Sequence, residues 1–481
     1  MLSKLITTCC VAATLLGYLP LHAQNNASLK AATLQQLDNR FGEYQTIARN
    51  IWEFAEVGYK ENKSSALLQE TLRKEGFQVT NGQAGMPTAF IATYGSGSPV
   101  IAILAEYDAL PGLSQQAVPE KKTIQGQDAG HGCGHNLFGT ASVAAAITLK
   151  QWMASGQLKG TLRLYGCPAE EGGSGKVYLV REGFFKDVDV AIHWHPGDKN
   201  QVTMMSALAN TSAKFRFYGT SSHASMAPER GRSALDGVEA MDYMANMMRE
   251  HIPQETRIHY VITQGGKAPN VVPDFSEVFY YVRHPKRELV QSIFERLVKT
   301  AEGAAKGTET KMDYEIIGGT HDLLINTSLA KMMQQNLELT GGIKYSAAET
   351  SFAQQLATSF NNPPPLSTAA DIIPLQTFIN AGGGSTDVGD VSYAVPTVGL
   401  ESATWVPGTS AHSWQAVACN GTGIGMKGMM VAAKTMALTA IDLFTNPAYI
   451  QQAKEEHRKQ VGNYQYKALL GTRSPALNYR D

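Results

Sequence analysis

The sequence predicts an α/β fold: a mixed, mostly parallel sheet with helices on both faces, interrupted by a smaller α+β domain. Three observations predict it. The apolar runs "PVIAILAEYDALPG", "GTLRLYGCPAEEGGSG" and "VDVAIHWHPG" read as buried strands and alternate with helix-spaced segments, as parallel strands joined by helical crossovers do. Each run ends in acids, glycines or histidines, and in such sheets ligands gather beyond the carboxyl ends of the strands. Near residue 210 the texture changes to the alternation of half-exposed strands.

Taken in order, "MLSKLITTCCVAATLLGYLPLHA" has a basic residue, Lys4, an apolar run and a small residue at Ala23, so residues 1–23 read as a secretory signal peptide. Its apolar run is short for a membrane span, and no later segment reads as one. The mature protein is therefore expected to be soluble and exported, periplasmic or extracellular. "LDNRFGEYQTIARNIWEFAEV" and "KSSALLQETLRKEGF" carry apolar residues at helical spacing. "NLFGTASVAAAITLKQWMAS" reads as a packed, Ala-rich helix between the first two strands. "TSAKFRFYGTSSHAS" and "SEVFYYVRHP" read as strands of the second domain, with amphipathic helices in "GRSALDGVEAMDYMANMM" and "ELVQSIFERLVKTAEGAA". That domain is expected over residues 208–326, inserted into a larger one made of residues 30–207 and 327–460. Beyond it, "FNNPPPLSTAADIIPL" reads as an irregular excursion, "AGGGSTDVGDVS" and "GTSAHSWQ" as loops, and "GMKGMMVAAKTMALTAIDLF" as a buried helix.

At 481 residues the chain can build two domains, and 41 basic against 42 acidic residues give no pull toward nucleic acid or an anionic membrane. Loss of the signal removes Cys9 and Cys10 and leaves Cys133, Cys167 and Cys419, an odd set that makes a poor disulfide framework.

Cys133 lies in "GHGCGHNLFGT", two residues before His135, and the glycines around them allow a tight turn that points both side chains one way. Thiolate, imidazole and carboxylate are the ligands zinc and its neighbours take. Further candidates stand at the other strand ends and loops: Glu106 and Asp108, Glu170 and Glu171, His193 and His195, and His412. Each alone has a plainer explanation. A loop histidine is usually just polar, a Glu pair is usually a solvated turn, and a lone Cys is usually a small buried residue. Their coincidence on one inferred face favours a metal site. A paired carboxylate also suits hydrolysis, one oxygen donor holding metal while the other moves the proton of an activated water. A cysteine hydrolase with Cys133 as nucleophile and His135 as base would leave Glu170 and Glu171 unused. A zinc deaminase needs a Pro-Cys-x-x-Cys pair that the sequence lacks.

"AEYDALPG", "GHGCGHN", "PAEEGGSG", "HWHP", "SSHAS", "APNVVP", "STDVGDVS" and "GTSAHSWQ" occur in the order seen in a metallopeptidase family, which the chain resembles over roughly residues 35–460. Its members include carboxypeptidase G, the aminoacylases and the plant IAA-amino-acid amidohydrolases. The resemblance implies a two-metal catalytic domain interrupted by a dimerisation or lid domain. It implies two divalent ions per subunit, zinc or else manganese, cobalt or nickel, held by Cys133, His135, Glu171, His195 and His412. Glu170 matches the general acid/base, Asp108 an acid that orients the site, and His223 a lid histidine that reaches a partner subunit's active site. Asn270 and Arg283 match substrate-binding positions on the lid. Carboxypeptidase G-like members carry a histidine where Glu106 stands, and the amidohydrolase branch uses Cys133 instead; His131 and His193 are left without an assigned role. The implied activity is hydrolysis of the amide bond of N-acyl amino acids, p-aminobenzoyl-glutamate first among them. Alternatives are a dipeptidase or aminoacylase of the same family, or an exported binding protein without turnover. The implied assembly is a homodimer through the lid, with a heteromer as the other possibility.

Overall fold

The computed structural model describes residues 18–480, and most of the expected signal peptide lies outside them. Helices α1 (Tyr18–Asn39), α2 (Phe41–Phe54) and α3 (Asn62–Lys74) lead into strands β1 (Gln78–Asn81), β2 (Phe90–Ser96) and β3 (Val100–Ala105). Then come α4 (His135–Ala154), β4 (Gly160–Gly166), α5 (Gly175–Arg181), β5 (Val190–Gly197) and β6 (Gln201–Val202). An inserted unit follows: β7 (Ala209–Tyr218), α6 (Ala234–Met248), β8 (Arg257–Gln264), β9 (Phe275–His284), α7 (Arg287–Gly307) and β10 (Lys311–Thr320). The chain then returns through α8 (Thr327–Thr340), α9 (Ala347–Ala357), α10 (Val388–Ala394), β11 (Thr397–Ala403), α11 (Trp414–Asn420), α12 (Gly423–Thr445) and α13 (Pro447–Val461).

The large sheet has seven strands in the order β1-β2-β4-β3-β5-β11-β6. Its central strands β4, β3, β5 and β11 run parallel, and the flanking ones antiparallel. This is the mixed, mostly parallel sheet the sequence predicts. The all-apolar β3 is buried along its whole length, as a central parallel strand must be. The Ala-rich α4 packs on β3 and on α12. Small residues let it come close: a Cβ on Gly139 would stand 2.7 Å from the carbonyl oxygen of Glu106, so a larger residue would push α4 off the end of β3. Among the described residues α12 is the one helix long and apolar enough to cross a membrane, and it is buried in this core.

The inserted unit has its own sheet, β8-β9-β7-β10, all antiparallel, and its own apolar core under α6 and α7. Several elements go beyond the sequence expectation, among them β1, β2, α5, β11, α11 and α13 of the large unit. Strands β8 and β10 flank the two expected strands, and α8 and α9 fill the stretch before the proline-rich excursion. "STDVGDVS", expected as a loop, instead enters α10 immediately after Asp387. The fold also continues past residue 460: residues 463–480 run back across both units.

Candidate active site

Most candidate donors sit where a parallel strand ends. Glu106 and Asp108 follow β3, Glu170 and Glu171 follow β4, His195 lies near the end of β5, and His412 lies in the loop after β11. Cys133 and His135 enter from the start of α4. Between them Gly134 has φ +77°, the left-handed region that glycine adopts without strain, and a Cβ there would lie 2.8 Å from the ring of Pro196. That turn is what aims both side chains the same way. His412 itself has φ +58°, a strained setting for a non-glycine residue and one that recurs at functional sites.

The donors converge. Cys133 Sγ lies 3.6 Å from His195 Nε2 and 3.5 Å from His412 Nε2. Glu171 Oε1 lies 3.3 Å from His412 Nε2. Among the described residues, three groups hold donor atoms within 4.8 Å of one another: Cys133, His135 and His195; Cys133, Glu171 and His412; Glu106, His135 and Glu170. Asp108 braces two of them, one oxygen 2.8 Å from His135 Nδ1 and the other accepting from the backbone N–H of Glu171 at 2.9 Å. That contact fixes the ring so that Nε2 faces the other donors, the outer support metal-binding histidines need.

The set fits divalent cations on its own chemistry. Glu106 Oε2, His135 Nε2 and Glu171 Oε1 are buried and make no well-aligned hydrogen bond, although Glu106 Oε2 lies 3.1 Å from His135 Nε2 and Glu171 Oε1 3.3 Å from His412 Nε2. Buried polar atoms left so are costly, and a cation among them removes the cost.

Charge sorts the two neighbouring glutamates. Burial, then the nearby Glu106 and Glu171, push the Glu170 carboxyl well above the usual range. Burial also acts against Glu171, but contacts with His412 and His135 outweigh it and hold that carboxyl below its ordinary value. One glutamate is thereby suited to carry a proton and the other to stay anionic. Burial opposes a charge on His135 too, yet Asp108 and Glu106 raise it well above an ordinary histidine. Burial and Glu171 push the Cys133 thiol up.

Beneath the site lies a buried ionic group centred on Lys176, a residue the sequence does not single out. Lys176 Nζ is 2.6 Å from Glu106 Oε1 and 2.7 Å from Asp387 Oδ1, with all three side chains at most 1 % exposed. A lysine after "EEGGSG" looks like an ordinary surface residue; only its burial distinguishes it. It holds Glu106 with its second oxygen toward His135, 3.1 Å from Nε2.

A cavity of about 730 Å³ opens over the donors. Its walls come from Cys133, Glu170, Glu171, His195 and His412 on one side and from Asn210, Tyr281, Arg283 and Thr320 of the inserted unit on the other. Arg283 is thus at the site. Asn270 and His223 are not among the lining residues: both are exposed, and His223 Nδ1 accepts from the backbone N–H groups of Ser225 and Met226. His131 is buried against the carbonyl of Ile51, and burial lowers its pKa to about 4. His193 edges the cavity but joins none of the donor groups, and burial takes its pKa to about 3.

Residues 102–418 match the Peptidase family M20/M25/M40. The chain belongs to that family. Membership makes it a hydrolase of amide bonds. The M20 relatives include one of the p-aminobenzoyl-glutamate hydrolase subunits of Escherichia coli K12, 40% identical over 449 residues that cover 88% of this chain and 93% of that protein. An Xaa-Arg dipeptidase of Mus musculus is 27% identical over 461 residues, covering 92% and 95%. Among solved structures, a dinuclear metal-binding M20 peptidase of Bacillus subtilis shares the fold with a TM-score of 0.54 at 18% identity, over 86% of this chain and 99% of that one.

Proposed function

We propose that the protein is an exported, two-metal amidohydrolase that splits N-acyl amino acids into acid and amino acid, with p-aminobenzoyl-glutamate as its first candidate substrate. The observation that carries the reading is the convergence of Cys133, His135, Glu171, His195 and His412 beside Glu170 at the floor of one cavity. The 40% identity to a protein named as part of p-aminobenzoyl-glutamate hydrolase supports the substrate.

In this reading Cys133, His135, Glu171, His195 and His412 hold the two cations. A thiolate with imidazoles favours zinc, with manganese, cobalt or nickel as the alternatives. Bound there, divalent cations supply Lewis-acid polarisation of the scissile carbonyl and make water acidic enough to attack near neutral pH. Glu170 takes the proton from the attacking water and returns it to the leaving nitrogen, which departs as an amine. Asp108 keeps His135 turned toward the site. Arg283 anchors the carboxylate of the amino-acid half. Exposed Tyr243, Met247, Val261 and Phe275 support pairing through the inserted unit. The Escherichia coli relative is named as one of two different subunits of its hydrolase, which supports a heteromer as the second arrangement.

The test is metal analysis of the purified protein joined to a hydrolysis screen of p-aminobenzoyl-glutamate, other N-acyl amino acids and Xaa-Arg dipeptides. About two divalent ions per chain are expected, with activity lost on chelation and restored by added metal. Turnover that survives complete metal removal would instead assign the chemistry to Cys133.

A further inference from the structure

Residues 463–480 form a strap that the metal centre alone does not require. Tyr464 meets His321 Nε2 at 2.8 Å and Tyr466 donates to Asp390 at 2.7 Å, where β10 returns to the large unit. Arg181 of α5 donates to the carbonyl of Arg473 at 2.7 Å. Arg473 in turn donates to the carbonyl of Ile317 at 3.0 Å and to Glu315 at 2.9 Å, both on β10. The strap is therefore fastened to both units before it reaches the site.

There its last two described residues touch the catalytic loop. Tyr479 donates to the carbonyl of Glu171 at 3.1 Å with its ring edge-on to Tyr59, and Arg480 Nη2 donates to the same carbonyl. The guanidinium of Arg480 lies over the Tyr479 ring, 4.7 Å from its centre, and lines the cavity. Arg283 lines it too, lying over Tyr281 at 5.4 Å. Both arginines line the same cavity. A Cβ built on Gly172 would stand 3.7 Å from Arg480 Nη2 and 3.9 Å from the Tyr281 hydroxyl. In both arginines Nε is buried without an acceptor, and neither guanidinium pairs with a carboxylate among the described residues. A part-exposed guanidinium on a cavity wall without a carboxylate partner is suited to bind a ligand carboxylate.

Every N-acyl amino acid brings one carboxylate, which Arg283 accounts for. A second guanidinium in the same cavity calls for a second anionic group. We infer that Arg480 is a specificity-determining residue that reads a side-chain carboxylate, so that the site selects N-acyl derivatives of acidic amino acids. The inference rests on the amidohydrolase reading above and narrows it.

The test compares kcat/KM for p-aminobenzoyl-glutamate and p-aminobenzoyl-glutamine, which differ by one charge, in the wild-type protein, Arg480→Gln and Arg480→Lys. The preference for the glutamate compound should fall roughly 10- to 100-fold in Arg480→Gln, mostly through KM, and recover in part in Arg480→Lys. A preference unchanged in Arg480→Gln overturns the inference, however far the absolute rates drop, because it leaves Arg480 only the task of holding the Glu171 carbonyl. So does a wild-type protein with no preference for the diacid. If the wild type hydrolyses neither compound, the assignment of p-aminobenzoyl-glutamate as substrate fails by itself. Calorimetric binding of N-acetylglutamate against N-acetylglutamine to the same variants then decides Arg480: loss of discrimination in Arg480→Gln sustains its role, and equal or absent discrimination overturns it.

Discussion

Glu170 and Glu171 share a peptide bond and the same chemistry, yet their surroundings give them opposite proton affinities. Glu171 faces His412, a contact that favours its charged form, whereas Glu170 is buried among other carboxylates, which gives it the higher proton affinity of the two. In the proposed mechanism, replacing Glu170 removes the proton carrier and leaves the proposed metal ligands intact. Glu170→Ala is expected to keep nearly normal metal content while kcat falls roughly 10²–10⁴-fold or more. Metal analysis beside steady-state kinetics checks it, and undiminished turnover would remove Glu170 from the proton path. Residue types and order were legible in the sequence here: the five donors, Glu170 and Asp108 are all at one site. Lys176 and Asp387 were not, because nothing in a lysine or aspartate letter reports burial.

At the scale of elements, strong patterns were readable and weak ones were not. β3 is a continuous apolar run and α4 a long Ala-rich one, so both stand out. Strand β8 buries only Ile258, leaving no alternation for a reader to detect; its place is fixed by pairing with β9. In the inserted unit, α6 carries Asp242, only 6 % exposed, with the Tyr280 hydroxyl of β9 donating to it. Burial raises that carboxyl to about 6, the Tyr280 contact only partly opposing it. A raised carboxyl pKa favours the protonated form in the folded state. Its contribution is therefore complete below the ordinary carboxylate range and is lost as pH climbs through about 6. Between about pH 4 and pH 7 this element should lose on the order of 1–3 kcal/mol of stability from this group. Asp242→Asn, which cannot ionise, should flatten that slope in thermal unfolding measured across the same range. An unaltered slope would show that Asp242 does not titrate there.

At the scale of the whole molecule, two residues placed at the site by family resemblance, His223 and Asn270, are exposed and away from the cavity of their own chain. For His223 that placement suits a group acting on a partner's site. The consequence is testable by complementation. His223→Ala and Glu170→Ala should each be nearly inactive alone, and co-expression of the two should restore activity, since a mixed dimer holds one site with Glu170 intact and His223 supplied from across the interface. Co-expressed variants that stay inactive would confine His223 to its own subunit or remove its role.

By itself the sequence determined the fold class and the chemical inventory of the site. Short apolar runs alternating with helix-spaced segments commit to a central sheet, and thiol, imidazole and carboxylate groups at strand ends and in glycine-rich loops, read with the ordered motifs of a metallopeptidase family, point to metal-dependent hydrolysis. Tertiary structure alone decided which identical letters differ in charge, which lysine is buried beneath the donors, and that residues 463–480 come back to set Arg480 on the cavity wall. Those outcomes depend on desolvation and on contacts between segments hundreds of positions apart, and neither quantity is carried by local sequence pattern.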